Sequence, residues 1–303
     1  MTATMRGAAT TDGFVASIND LNQIRATDPS RIRRQLATRR RRELLGPDGR
    51  LMIIACDHPA REALGAAGNS MAMGSRTELL ARLVTALSRP GVDGLLATAD
   101  IAEDLLLLGS LEGKVVFASM NRGGLQGSVF EVDDRLTGYD VAGVVESGFE
   151  GGKMLVRIDL SDPATVATLE YSGRLVSELS RAGRIAMVEP FMSSRTGNKT
   201  VNDLSPDAVI RSVHIAQGLG SSSAYTWLKI PVVHEMERVM DATTLPTLLL
   251  GGDPEGAPDE TYAAWQAALE LPSVRGLMVG RTMLYPRDDD VAKAVDTAIS
   301  LVR

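Results

Sequence analysis

Lys229 lies inside an apolar stretch of the chain, Thr226–Pro231, where the neighbouring side chains are hydrophobic. Burying an ammonium group costs free energy unless the charge is paired or the pKa of the group falls. A lysine with a lowered pKa presents a neutral amine, and that amine can attack a carbonyl carbon. The setting makes Lys229 a candidate nucleophile without deciding its role. A lysine that reaches the rim or forms a buried ion pair is the structural alternative.

Five more polar residues border other apolar stretches and are candidates for the same site: Asp57, His58, Lys153, Arg157 and Glu189. Cleavage of a carbon–carbon bond beside an imine requires a group that takes a hydroxyl proton, and a carboxylate with a tuned pKa, such as Glu189, can do this. A second ammonium group, that of Lys153, would lower the pKa of Lys229 by like-charge repulsion. For His58, a site role beside Asp57 and a packing role are both open.

Two glycine-containing pairs follow later apolar stretches: Gly251-Gly252 and Gly280-Arg281. Glycine leaves backbone N–H groups accessible, and a guanidinium group matches the geometry of a phosphate. Many parallel barrels bind phosphate at the loops after their last two strands. The sequence therefore favours a phosphate site at these four residues, with tight turns as the alternative role of the glycines.

Eight short apolar runs predict the strands that position these residues: Met52–Cys56, Gly94–Ala97, Val115–Ser119, Met154–Asp159, Ile185–Glu189, Trp227–Ile230, Thr247–Leu250 and Gly276–Val279. Most are continuous apolar runs, as expected for strands that are buried on both faces. Eight such units in order favour an α/β protein with a closed (β/α)8 TIM barrel over an open doubly wound sheet. Catalytic residues of such a barrel lie at the C-terminal ends of the strands.

Amphipathic stretches between the strands predict eight helices: Arg76–Ser88, Ile101–Leu108, Tyr139–Ser147, Pro163–Arg181, Pro206–Gln217, Glu235–Asp241, Glu260–Leu271 and Val291–Leu301. Two of them begin with a cap residue and a proline in the first turn, which is a strong start signal. The long polar loop that contains Gly123–Gly127 is a candidate lid. A surface excursion or a subunit contact is the alternative.

Residues 1–48 are predicted to form a short, basic helical extension, and residues 49–303 to form the barrel. The segment Arg31–Arg42 carries most of the basic character and is expected to be helical. Such a segment is compatible with a nucleic-acid or membrane surface. We favour a helix packed under the barrel or against another subunit, because no aromatic residues are interleaved with the arginines.

Composition excludes several classes of protein. The formal net charge of −6 argues against nucleic acid as the main partner. Cys56 is the only cysteine, so no disulfide can form within the chain. No apolar run approaches the roughly 18 residues of a membrane span, and the N-terminus lacks the pattern of a signal peptide. We therefore expect a cytoplasmic protein that does not bind a membrane.

Six short motifs share their order and strand placement with one known superfamily: Ala55–His58, Asp134–Tyr139, Lys153–Arg157, Val188–Pro190, Trp227–Lys229 and Met278–Arg281. On these motifs the chain resembles the class I aldolases of the deoxyribose-phosphate, tagatose-bisphosphate and archaeal-type fructose-bisphosphate aldolase superfamily. The resemblance implies cleavage of a phosphorylated ketose or keto-acid through a Schiff base.

The resemblance also implies roles for individual residues. Lys229 would form the Schiff base, and Glu189 would take part in proton transfer. Lys153 would polarise the substrate, and Asp57 would orient the reacting centre. Two positions depart from the pattern: Pro59 stands where the first motif usually has glycine, and Leu250 stands where tagatose-type members have serine.

No metal or cofactor is expected. A zinc-dependent aldolase needs several histidine or carboxylate ligands that converge on one ion. The chain has three histidines, His58, His214 and His234, and His214 falls within a predicted helix. The expected partners are a phosphorylated small molecule and further copies of the chain in a homo-oligomer.

The basic N-terminus and the Asp57-His58-Pro59 variant resemble an actinobacterial branch associated with myo-inositol breakdown. This resemblance suggests 5-dehydro-2-deoxygluconate 6-phosphate as substrate, for which Arg157, Arg195 and Lys199 are candidates to bind the carboxylate. Pairing of these residues with Asp159, Glu189 or solvent is the alternative. Tagatose or fructose bisphosphate and sulfosugar phosphates are alternative substrates. A barrel that binds a sugar phosphate without cleaving it, and an acyl-transfer enzyme, are the alternatives from other functional classes.

Overall fold

The computed structural model describes residues 16–197, 199–251 and 258–303, and these form a closed barrel of parallel strands with surrounding helices. The strands are β1 (Leu51–Cys56), β2 (Gly94–Ala97), β3 (Val115–Ser119), β4 (Gly151–Ile158), β5 (Ile185–Thr196), β6 (Lys199–Asn202), β7 (Thr226–Pro231), β8 (Thr247–Leu250) and β9 (Val274–Val279). Every strand except β6 pairs in parallel with two neighbours, and the pairing of β4 with β5 closes the ring. Strand β6 runs antiparallel to the end of β5. The predicted (β/α)8 TIM barrel is confirmed.

Two short helices, α1 (Leu21–Thr27) and α2 (Ser30–Thr38), precede the barrel. The later helices are α3 (Arg76–Ser88), α4 (Ala99–Leu107), α5 (Val141–Glu146), α6 (Ala164–Arg181), α7 (Pro206–Gln217), α8 (Met236–Asp241), α9 (Pro258–Leu269), α10 (Arg281–Leu284) and α11 (Val291–Val302). Their apolar faces pack against the outside of the strands. Among the described residues, no helix combines the length and apolar character needed to cross a membrane.

Side chains alternate between the inside and the outside of the barrel. Successive residues of a strand point to opposite faces, so every second residue shares a face. The inside of the barrel is filled by one apolar cluster: Leu51, Ile53, Ala55, Leu96, Val115, Phe117, Ile185, Met187, Trp227, Leu248 and Met278. The intervening residues, such as Met52 and Ile54 on β1, pack against the helices. This register fixes which later residues of each strand face the C-terminal mouth of the barrel.

Two strands extend three or more residues beyond a predicted bound. Strand β4 begins at Gly151, before the predicted start at Met154. Glycine is required at its first position, since a Cβ on Gly151 would lie 2.4 Å from the Ile185 carbonyl oxygen. Strand β5 continues past its predicted end at Glu189 because its last residues leave the ring and form a hairpin with β6.

The basic extension differs from the single helix predicted for Arg31–Arg42. Helix α2 ends at Thr38, and the four residues that we call the arginine segment, Arg39–Arg42, run without helical structure along the N-terminal face of the barrel. Arg39 is buried and donates to the carbonyl oxygens of Leu111, at 3.4 Å, and Lys114, at 2.7 Å. These partners belong to the loop before β3.

The arginine segment is anchored at several further points. The Arg39 guanidinium also lies 5.7 Å from the centre of the Phe149 ring. Arg42 forms an ion pair with Asp93, whose other carboxylate oxygen accepts from Arg303 at 2.7 Å. Directly after the segment, Leu44 and Leu45 pack against the apolar cluster inside the barrel. These contacts agree with the interpretation of the extension as a packing element under the barrel.

Candidate active site

The inward register of three strands brings the predicted catalytic residues together. Lys153 on β4 pairs in register with Met187 on β5, and Glu189 follows Met187 on the same face. Met187 pairs in turn with Trp227 on β7, and Lys229 follows Trp227 on the same face. Lys153, Glu189 and Lys229 therefore form a polar layer on top of the apolar cluster inside the barrel.

Four charged side chains form one connected group, which we call the charged quartet: Asp57, Lys153, Glu189 and Lys229. Lys153 Nζ lies 2.7 Å from Asp57 Oδ2 and 2.7 Å from Glu189 Oε2. Lys229 Nζ lies 3.0 Å from Glu189 Oε1. All four residues are buried. The two ammonium groups are thus held close together by the carboxylate of Glu189.

The two lysines have different electrostatic environments. Burial lowers the pKa of Lys229 below its ordinary value; Glu189 opposes this, and the ammonium of Lys153 adds to it. Burial also acts to lower the pKa of Lys153, but Asp57 and Glu189 together raise it above its ordinary value. The difference arises because Lys153 contacts two carboxylates and Lys229 contacts one. Lys229 is therefore the lysine that more easily becomes a neutral amine.

The two carboxylates of the quartet remain ionised. Burial alone would raise the pKa of Asp57, but the charges of the neighbouring groups, that of Lys153 first, together with the hydrogen bond from Lys153 leave the pKa below its ordinary value. The same balance, with both lysines contributing, lowers the pKa of Glu189. A carboxylate that touches both lysines can accept a proton from one group and return it to another nearby. The quartet can thus supply an amine nucleophile, a fixed cation and a proton carrier.

His58 follows Asp57 at the C-terminal end of β1. Its Nδ1 atom lies 3.8 Å from Asp57 Oδ1, which is too long for a hydrogen bond. Burial lowers the pKa of His58 to about 3, although the Asp57 carboxylate acts in the opposite direction. The imidazole is therefore neutral at neutral pH.

A cavity of about 620 Å³ lies at the C-terminal mouth of the barrel, in the size range of small-molecule sites. Glu189, Lys229 and His58 are among the residues that line it. Apolar side chains contribute much of the rest of the wall, among them Leu155, Phe191, Trp265 and Met278. Lys229 thus lines a cleft that is large enough to hold a small substrate.

The residues of the predicted phosphate site lie on the same cavity where they are described. Gly251, Gly280 and Arg281 line it, while Gly252 lies outside the described residues. Glycine is required at 280 by a close approach, since a Cβ there would lie 2.3 Å from the Ala55 carbonyl oxygen. Arg281 donates to the carbonyl oxygen of Gly65 at 3.3 Å.

Arg157 occupies a different environment from the one predicted. Its guanidinium forms a buried ion pair with Glu131 of the long loop between β3 and α5, and it is absent from the described lining of the cavity. Arg195 is similarly engaged, since it donates to the carbonyl oxygens of Ser128, at 3.3 Å, and Val129, at 3.0 Å. Lys199 lies exposed on β6. None of these three residues is among the described residues that line the cavity, and the long loop engages both arginines.

Sequence reasoning did not single out Arg61, which lines the cavity next to His58. Its position two residues after Pro59 was the available signal, because a proline in the first turn predicts a short helix that carries the residues after it toward the mouth. The structure has such a helix at Pro59–Arg61. Among the described residues, no cluster of three or more histidine, cysteine, aspartate or glutamate side chains is arranged to hold a metal ion.

The fold defines the class of protein to which the chain is similar. It matches a Schiff-base-forming fructose-1,6-bisphosphate aldolase at 21% identity, with 90% of this chain and all of that chain covered and a TM-score of 0.62. An archaeal fructose-1,6-bisphosphate aldolase with its catalytic lysine bound to a carbinolamine intermediate matches at 19% identity and a TM-score of 0.63, with 89% and 99% coverage. At these identities the likeness shows a common barrel fold.

A family match and one solved structure of higher identity place the chain in a family. Residues 49–299 match the Cgl0159-like family, and the chain belongs to that family. The crystal structure of Cgl0159 from Corynebacterium glutamicum is 58% identical, covers 94% of this chain and 96% of that chain, and superposes with a TM-score of 0.91. No curated protein sequence matches the chain.

Proposed function

We propose that this protein is a class I aldolase that cleaves a phosphorylated ketose or keto-acid through a Schiff base on Lys229. The observation that carries the proposal is the placement of the Lys229 amine. It is buried, it lies 3.0 Å from the Glu189 carboxylate, and it faces the cavity at the mouth of the barrel. Burial lowers its pKa, which favours the neutral amine that attacks a ketone.

In the proposed reaction, the Lys229 amine adds to the ketone carbon of the substrate and loses water to form a protonated imine. A base removes the proton of the substrate hydroxyl two carbons away from the imine carbon. The bond between the hydroxyl-bearing carbon and the carbon next to the imine then breaks. The hydroxyl-bearing part leaves as an aldehyde, and the electrons of the broken bond form an enamine with the imine. Protonation of the enamine and addition of water release the second product and restore the amine.

Glu189 is the proposed proton carrier, because one of its oxygens lies beside Lys229 and the other beside Lys153. Lys153 keeps its charge, since the two carboxylates raise its pKa, and it is suited to polarise a substrate oxygen. Asp57 is the proposed orienting group, because it holds Lys153 from the opposite side at 2.7 Å. These assignments require no metal ion.

For the phosphate, we propose binding by Arg281 and the backbone N–H groups of Gly251, Gly252 and Gly280. The more specific proposal for the substrate is 5-dehydro-2-deoxygluconate 6-phosphate, with dihydroxyacetone phosphate and malonate semialdehyde as products. A comparison of kcat/KM for this compound, fructose 1,6-bisphosphate and tagatose 1,6-bisphosphate tests the choice. A bisphosphate cleaved much faster than the keto-acid phosphate would reject the specific substrate while leaving the aldolase proposal intact.

The decisive experiment is reduction by borohydride in the presence of dihydroxyacetone phosphate and of each candidate substrate. We expect irreversible loss of activity only when a carbonyl compound is present, with the label on the peptide that contains Lys229. Lys229→Ala should abolish the labelling.

Lys114→Ala provides a matched control, because burial lowers the pKa of Lys114 as well, but its ammonium donates to the Val92 carbonyl oxygen at the N-terminal face. This variant should be labelled like the natural protein. Binding of sugar phosphate without any reducible adduct would instead indicate a barrel that binds its ligand without cleaving it.

A further inference from the structure

Arg61 differs from the other arginines near the mouth of the barrel. Arg157 is paired with Glu131, Arg195 is bound to backbone carbonyls, and Arg281 donates to Gly65. Arg61 lines the cavity and is only partly exposed, yet within the described part of the chain its guanidinium has no ion pair or side-chain hydrogen bond. A partly buried cation without a counter-charge is costly unless a ligand supplies one.

The backbone that carries Arg61 is fixed on both sides. The N–H of Arg61 donates to the His58 carbonyl oxygen at 3.1 Å, and its carbonyl oxygen accepts from the Gln126 N–H at 3.1 Å. The Arg122 guanidinium donates to the carbonyl oxygen of the preceding residue, Ala60. The next residue, Glu62, has a positive φ of 68°, which is an uncommon backbone state for a non-glycine residue and is frequent at functional sites. Arg61 is therefore held in place by the long loop after β3.

The charge of Arg61 is not needed to neutralise the quartet. Asp57 and Glu189 carry two negative charges, and Lys153 and Lys229 carry two positive charges when both are protonated, so the quartet balances itself. Among the described residues that line the cavity, the other acidic residue is Glu260, and it is exposed to solvent. The positive charge of Arg61 is therefore available to a negatively charged group of a ligand.

Arg61 and Arg281 flank His58 on different sides. Both arginines act to lower the pKa of His58, and Arg61 also acts on Arg157, which lies on β4. Arg281 begins the short helix after β9, the strand that neighbours β1 on the side away from β2. The Arg61 backbone accepts a hydrogen bond from Gln126 of the long loop after β3, so Arg61 lies on the β3 side of the mouth, and Arg281 lies on the β9 side. Two arginines in these positions are suited to hold the two ends of one substrate.

We propose that Arg61 binds the anionic group at the end of the substrate opposite the phosphate bound by Arg281, and so selects substrates with two anionic ends. The proposal rests on the proposed function for the assignment of the phosphate to Arg281. The ligand class is a phosphorylated ketose or keto-acid that bears a carboxylate or a second phosphate. Arg61 would in this way take the role that the sequence suggested for Arg157, Arg195 and Lys199. One charge-assisted contact of this kind corresponds to about a ten- to hundredfold change in affinity.

The test compares binding of fructose 1,6-bisphosphate with that of fructose 1-phosphate, which lacks the second anion. Calorimetry on the Lys229→Met variant measures binding alone, because this variant cannot form an imine. In that background we expect the bisphosphate to bind at least about tenfold more tightly. Adding Arg61→Met should remove most of this preference without weakening binding of the monophosphate. Arg61→Lys should keep part of the preference because it keeps the charge.

Arg195→Met is the matched control and should leave the preference unchanged, since Arg195 is engaged by backbone carbonyls of the long loop. Equal binding of the two sugars before any change at Arg61, or equal weakening of both by Arg61→Met, would overturn the proposal. Borohydride labelling of otherwise unaltered protein is measured in parallel. A preference that depends on Arg61, together with no labelling of Lys229, would support the anion site and reject the aldolase chemistry.

Discussion

The two ends of the barrel both bury charged side chains, but among the described residues fully buried lysines occur at only one of them. At the N-terminal face, Arg39 is buried against backbone carbonyls and Arg42 is paired with Asp93. Near the C-terminal mouth, Arg157 is buried in an ion pair with Glu131, and two lysines, Lys153 and Lys229, are buried as well. Burial and pairing are therefore shared by both ends, and neither feature by itself marks a reactive site.

The chemical difference is that arginine cannot lose its proton in a protein, whereas lysine can. A guanidinium group with several fixed donors is suited to hold the carbonyls of loops together. An amine that shares one carboxylate with a second ammonium loses its proton more easily. Both burial and the Lys153 ammonium lower the pKa of Lys229. The comparison teaches that the residue type and its proton, more than the buried charge, separate the reactive end from the structural end.

The largest effect is expected from Glu189→Gln at the mouth. Loss of the proton carrier should lower kcat/KM by about 10²- to 10⁴-fold. Because Glu189 acts to raise the pKa of Lys229, its removal should lower that pKa further. The amine is then neutral at lower pH, so the rate of imine formation should begin its rise at lower pH. The measurement is the pH dependence of borohydride labelling with dihydroxyacetone phosphate.

Glu112→Gln serves as the control for this change, because Glu112 is exposed and pairs with Arg40 near the N-terminal face. It should leave both kcat/KM and the pH dependence unaltered. Full activity of Glu189→Gln would show that the quartet is a structural ion-pair group, like the pairs at the other end of the barrel.

A smaller effect, on stability alone, is expected from Arg39→Met. The change leaves the carbonyl oxygens of Leu111 and Lys114 without their buried donor, and it should lower the free energy of unfolding by about 2–4 kcal/mol. The value of kcat/KM should remain unchanged. Urea unfolding and steady-state kinetics on the same sample provide the check. Arg33→Met is the control, since Arg33 is exposed on α2 and its removal should change stability by less than about 0.5 kcal/mol.

The smallest effect is expected from removal of metal ions. The carboxylates of Asp57 and Glu189 are already occupied by the Lys153 and Lys229 ammonium groups, which leaves them poorly suited as metal ligands. Extended treatment with EDTA should therefore change kcat/KM by less than about twofold. If activity disappeared and returned with added zinc, the carboxylates at the mouth would have to act as ligands of a catalytic metal ion.

The barrel and the quartet could be predicted from the sequence because both depend on local patterns. Continuous apolar runs such as Val115–Ser119 and Thr247–Leu250 predict buried strands, and their bounds agree with the structure. Once the strands are in place, the alternation of side chains determines that Lys153, Glu189 and Lys229 face the same interior. The hairpin of β5 and β6 was missed because its alternating exposure leaves no continuous apolar run.

The remaining features depend on contacts between residues that are distant in the sequence. Nothing near Arg157 in the sequence indicates that Glu131 of the long loop engages its charge. Likewise, nothing near Arg61 indicates that it has no such partner among the described residues. The end of helix α2 at Thr38 has a similar cause. The next residue, Arg39, is held by the loop that precedes β3, and these tertiary contacts outweigh the local preference for helix.

The arginine segment under the barrel shows that the folded unit begins earlier in the chain than the region of sequence similarity. The match to the Cgl0159-like family begins at residue 49, after the segment has ended. Leu44 and Leu45 nevertheless cover the apolar cluster inside the barrel, and Arg39 holds the loop before β3. A chain shortened to the matched region would therefore expose hydrophobic side chains at the base of the barrel. Such a fragment is expected to aggregate even though every strand and every member of the charged quartet is still present.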